Sequence, residues 1–167
     1  MLIISDRQIN MEMEDAEIIS LSDKKVGFCT GCYNCWIKSP GSCVIRDDQV
    51  LIYQKIAAAT ELVFVTRVKY GCYDVPIKAM IERCLPLYQA FLKIHKEETR
   101  HEQRRIEKKD FLVVAYGAEN QEEKDIFNYL VERNANNMSF NSYKVSFVEE
   151  SLIEETLEKE VSLLWRK

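Results

Sequence analysis

Two stretches of the chain, 61–68 and 111–116, run apolar through consecutive positions, as Leu62-Val-Phe-Val65 and Phe111-Leu-Val-Val-Ala-Tyr116. Strands with one wet face alternate apolar and polar residues, so an unbroken apolar run predicts strands of a parallel sheet covered on both faces. Between and around them lie helical patterns. Asp47 or Asp48 can cap a helix carrying Val50, Leu51, Ile52 and Ile56, with the small residues Ala57, Ala58 and Ala59 suited to packing on a sheet. Pro76 sits at a favoured first-turn position, and Ile77, Met80, Ile81 and Cys84 repeat at helical spacing. Pro86 breaks that helix, and 87–94 reads as a second helical piece. Residues 121–134, with Ile126, Leu130 and Val131 on one side, and 152–165 read as helices. Segments 2–5, 16–21 and 143–148 complete the strands, and 26–28 leads directly into a cysteine-rich loop. The alternation predicts one three-layer α/β domain over residues 1–167, with a mainly parallel five-stranded sheet. Ligands of such sheets bind beyond the carboxyl ends of the strands.

The candidate chemistry is concentrated in four cysteines, Cys29, Cys32, Cys35 and Cys43, spaced C-x2-C-x2-C-x7-C. Thiolates this close suit a soft metal or an iron–sulfur cluster. The tight run resembles ferredoxin-type spacing more than a zinc ribbon, whose two knuckles stand farther apart. A structural zinc site and a set of reduced, unliganded thiols are the competing readings. Net charge is only −4 with both signs mixed, so no footprint for nucleic acid is visible. The leading apolar run, 2–4, is too short for a signal peptide or a membrane span. A cytoplasmic protein is expected, in which thiols stay reduced and do not form a disulfide framework.

The stretch from Cys29 through Asp48, followed by a helix and the strand to Val68, then Tyr70-Gly71, Pro76, Lys78 and Glu82-Arg83, resembles the flavodoxin-like NAD(P)H-dependent FMN reductase family. Within that family it is most similar to the iron–sulfur flavoproteins. The resemblance implies a flavodoxin-like sheet, an FMN cofactor, a nicotinamide donor (NADH or NADPH), an unidentified electron acceptor, and a homodimer or homotetramer. It also implies a 4Fe–4S cluster on Cys29, Cys32, Cys35 and Cys43. The flavin ring would lie against the loop Thr66, Arg67, Lys69, Tyr70, Gly71 and Cys72 and the turn Tyr116-Gly117. Arg67 or Lys69 would then supply phosphate contacts.

One departure is clear. Family members place a phosphate loop and a full helix after the first strand, whereas only residues 6–15 separate the first two strands here. A parallel crossover through a helix needs a dozen or more residues. The segment has no glycine or threonine, and Asp6, Glu12, Glu14 and Asp15 against Arg7 leave it at −3. A phosphate cradle needs approachable backbone N–H groups and positive potential, so the first helix and the FMN phosphate loop are expected to be missing. The alternative function is therefore a flavodoxin-like scaffold that no longer binds FMN and serves as a metal-loop or interaction module.

Other residues carry two readings each. Tyr70 and Tyr73 suit stacking on a ring or packing in a subunit interface, and Trp36 suits shielding a cluster or anchoring a dimer. Cys84 belongs to a helix core stripe. The two histidines, His95 and His101, lie in the charged stretch 95–110, which reads as a solvated loop or helix end and secondarily as a nicotinamide-phosphate contact.

Overall fold

A computed structural model describes residues 1–95, 97–104 and 109–164. The strands are β1 (Leu2–Ser5), β2 (Glu17–Ser20), β3 (Glu61–Lys69), β4 (Cys72–Tyr73), β5 (Tyr88–His95), β6 (Glu98–Gln103), β7 (Asp110–Tyr116) and β8 (Ser142–Val148). The helices are α1 (Asn34–Ile37), α2 (Gln49–Ala58), α3 (Val75–Glu82), α4 (Gln121–Asn137) and α5 (Ile153–Leu164). Five strands form a parallel sheet in the order β2-β1-β3-β7-β8, with β4 folded back antiparallel on the end of β3. Helices flank both faces, which is the flavodoxin-like arrangement.

The pleat divides each central strand between two cores. Leu62, Phe64, Phe111 and Val113 point to one face, beneath α2, α3 and α4, where Ile52, Ile56, Ile77, Met80, Phe127 and Val131 are buried. Val63, Val65, Leu112 and Val114 point to the other, where Ile153 and Leu157 of α5 meet them. Here the missing first helix has a visible consequence. Residues 6–16 form no helix, and the face over β1 is closed by Ile9 with Met11 and Met13 against it. Helix starts follow local chemistry: Asp74 accepts a hydrogen bond from Val75 N–H at 2.7 Å, and Asn120 accepts one from Glu123 N–H at 2.9 Å.

Two expectations require correction. The piece 87–94 is not helical: it is β5, paired antiparallel with β6 as a separate hairpin. Pro86 removes a backbone donor, and the aromatic and β-branched residues after it find partners across the turn, as with Ile94 opposite Thr99. The stretch 95–110 is accordingly no simple solvated loop, since 98–103 is strand and Arg100 is buried. The side chain of His95, residues 96 and 105–108, and Trp165, read as part of the last helix, lie outside the described residues. Segment 26–28 is extended but unpaired, and Ile126 faces Gly71 rather than the core. Among the described residues no helix is long and apolar enough to cross a membrane.

Because α5 is the one helix over its face among the described residues, its anchor should weigh heavily. Leu157 is fully buried there. Leu157→Ala is expected to lower unfolding free energy by about 2–5 kcal/mol, read from denaturant melts.

Candidate cluster site and strand-end crevice

The cysteine loop leaves β2 in extended form and makes two left-handed turns, at Gly31 (φ 65°) and Tyr33 (φ 53°). These turns set Cys29 and Cys32 before the single turn of α1, which carries Cys35. Gly41, at φ 83°, returns the chain toward Cys43. All four cysteines line one small cavity of about 20 Å³, together with Thr30, Tyr33, Val44, Ile45, Arg83, Leu85 and Pro86. Cys35 is buried, Cys43 half-buried, and Cys29 and Cys32 exposed. Burial, and then the sulfurs of Cys43, Cys29 and Cys32, push the Cys35 thiol up. Hydrogen bonds from Asn34 N–H and Thr30 hold Cys32 below the ordinary thiol range. Among the described residues no three His, Cys, Asp or Glu side chains converge as ligands of a single metal ion. Cluster ligands bind separate irons and stand farther apart than the ligands of one ion, so four thiols around one cavity suit a cluster's donor set.

Residues beyond the loop hold it in place. Arg83, just past α3, donates to Gly27 O at 3.1 Å, to Ile45 O at 3.3 Å and to Cys43 Sγ at 3.3 Å, and it pairs with Asp47. Asp47 also accepts the Gly27 N–H at 2.8 Å. Against the burial that raises it, Arg83 and that N–H hold the Asp47 carboxyl below the usual carboxylate range. Trp36 Nε1–H donates to Leu85 O at 3.0 Å, and its ring lies 4.7 Å from that of His101 on β6. Sequence reasoning gave none of Arg83, Asp47 and His101 a part at the cysteines. Arg83 stood in the resembling stretch, and Asp47 was visible only as a helix cap.

The expected flavin residues gather in two groups. Thr66, Arg67, Tyr116 and Gly117 meet at the carboxyl ends of β3 and β7. Lys69, Tyr70, Gly71 and Cys72 lie on the turn beyond, where Tyr70 is 85% exposed and Gly71 (φ 68°) is pressed against Ile126. The first group is already occupied with its own chemistry. Asp6, directly after β1, accepts the Arg67 N–H at 2.6 Å and the Tyr116 hydroxyl at 2.9 Å. The Arg67 side chain lies over Gly117, so that a Cβ there would stand 3.1 Å from Arg67 Cγ. Arg7 lies over the Tyr116 ring and pairs with Glu150. Donors that could meet a phosphate are thus taken by a carboxylate of the chain itself. A second anion beside it would be repelled, so these residues do not fit the phosphate of FMN.

Burial pushes the Asp6 carboxyl up, against the Arg67 N–H and Tyr116 bonds that favour its charged form. A carboxyl whose folded pKa is raised holds its proton more tightly when folded. Stability therefore falls as pH rises from the unfolded value, about 3.9, through the folded one, and then levels. Asp6→Asn should remove this slope, read as melting temperature against pH for the two proteins.

No family model matches the chain. Part of it is similar to curated iron–sulfur flavoproteins. One of Methanocaldococcus jannaschii is 34% identical over 77 residues, 46% of this chain and 39% of that protein. One of Archaeoglobus fulgidus is 32% identical over 72 residues, 43% of this chain and 32% of that protein. The chain thus matches well under half the length of these relatives. Solved structures share the fold across nearly the whole chain. An FMN-dependent NADH-azoreductase of Bacillus anthracis aligns with TM-score 0.58 and 13% identity over 96% of this chain and 94% of its own. An NAD(P)H:quinone oxidoreductase of Methanothermobacter marburgensis aligns with TM-score 0.60 and 14% identity over 95% and 93%. The chain is a flavodoxin-like α/β domain, and part of its sequence resembles the iron–sulfur flavoproteins.

Proposed function

We propose that this chain is a one-electron redox protein that holds a 4Fe–4S cluster on Cys29, Cys32, Cys35 and Cys43. The observation that carries this reading is the arrangement of those four thiols around one cavity beside a buried guanidinium. Such a cluster supplies single-electron uptake and release at a potential set by charge, hydrogen bonding and solvent exposure. The chain's own residues bind and shelter it. Cys35 anchors the site from inside, while Cys29 and Cys32 on the exposed rim leave a short path for electrons to a partner protein. Trp36, Leu85 and Pro86 exclude water from the inner side.

The names of the relatives favour a second reading, an FMN-dependent oxidoreductase drawing on NADH or NADPH. In that reading Lys69, Tyr70 and Cys72 would meet a flavin ring, with its phosphate placed away from Asp6. The Asp6 carboxylate weighs against this arrangement, and no step is derived through a flavin here.

Anaerobic reconstitution separates the readings. Iron and sulfide are expected to give a brown protein with about four irons per chain, and Cys35→Ser and Cys43→Ser should each lose most of the colour and iron. FMN added in parallel should leave the flavin free after gel filtration. A protein that stays colourless, or that takes up zinc alone in stoichiometric amount, would overturn the cluster. Retained FMN with nicotinamide oxidation would establish the second reading in its place.

A further inference from the structure

Arg83 is 2% exposed, an unusual position for a guanidinium, and its polar partners all belong to the cysteine loop or the segment just after it. Gly27 O lies two residues before the first cysteine and Ile45 O two residues after the last, so one side chain ties both ends of the loop together. Its charge is balanced by Asp47, whose carboxylate also accepts the N–H groups of Gly27 and Gln49. One guanidinium nitrogen, Nη2, faces the sulfur of Cys43. Nε is buried without a hydrogen-bond partner. A buried cation persists where specific neighbours satisfy it, and here the neighbours are the loop's own backbone and a candidate ligand sulfur.

We propose that Arg83 is the positioning residue of the cysteine loop, closing its two ends and donating to Cys43 Sγ so as to raise the reduction potential of a cluster bound there. The tuning half of this inference rests on the cluster reading above. A cation and a hydrogen-bond donor at a ligand sulfur favour the more negative, reduced state. The couple takes up one electron with no bond made or broken, and dithionite is the reductant in the test. Asp47 acts with the opposite sign, because its carboxylate neutralises the guanidinium.

The experiment compares wild type, Arg83→Gln, Arg83→Lys and Asp47→Asn, each reconstituted anaerobically and titrated with dithionite under EPR detection. Arg83→Gln should shift the oxidised-to-reduced ratio at fixed potential about tenfold toward oxidised, equal to about 59 mV for one electron. Arg83→Lys, which keeps charge without the fork, should fall between the two, and Asp47→Asn should shift the other way. In the apo proteins, amide exchange of Gly27 and the loop should quicken in both Arg83 variants while core amides of β3 stay protected. Should Arg83→Gln fail to fold, the lysine and asparagine variants carry the same test through opposite signs. Loaded variants with unchanged potentials would overturn the tuning while leaving the cluster intact. A wild type that takes no cluster would overturn the cluster reading and the tuning with it. Loop exchange unchanged in the apo variants would overturn the positioning role independently.

Discussion

The parallel pairing of β3 with β1 on one side and β7 on the other is the constraint from which the remaining structure follows. From Leu62 to Val65 this strand is buried on both faces, so it must be covered above and below. Its backbone groups are spent on two neighbours in fixed register, Leu62 opposite both Leu2 and Phe111. A one-residue slip would exchange the two cores, sending Phe64 into the space of Val63. Helices on both faces and chemistry at the loops are the consequence.

The two layers are not equally furnished. One receives three helices and the aromatic contacts among Phe64, Tyr73, Phe111 and Phe127. The other receives α5 and an extended strap ending in methionines. The same shortening that removes a helix brings Asp6 immediately onto the strand ends. Hydrogen bonds from Arg67 and Tyr116 then terminate on the protein rather than on a ligand. Loss of a covering element and loss of an anion seat are therefore one event in the chain, not two.

Much of this was readable beforehand where a single element carries its own signal. The apolar runs announced β3 and β7, Pro76 and its periodic neighbours announced α3, and the ten residues between the first two strands announced the missing helix. The hairpin was not readable by the same means, because Tyr88, Phe91, Leu92 and Ile94 fit helical spacing as well as strand spacing. Pairing with residues beyond the turn decided the matter, and such pairing is non-local. At the site, the cysteine spacing was plain, whereas the partnership of Arg83 with Gly27, Cys43 and Asp47 spans up to 56 positions. Arg83 followed a helix with a strong core stripe, and nothing in its local sequence pointed across to the loop. Asp6 was counted as a charge hostile to phosphate, but its capture of specific strand-end donors needed coordinates.

The hairpin gains a meaning from its two attachments. The Glu98 carboxylate is shared by Arg100 and Arg133, which fastens β6 to α4, and three positions on, His101 leans its ring on Trp36 beside Cys35. The long helix and the thiol pocket are thereby joined through a two-stranded strut rather than through the sheet. A disturbance that pried this strut from α4 would carry away the aromatic wall of the sulfur pocket while leaving the central strands in place.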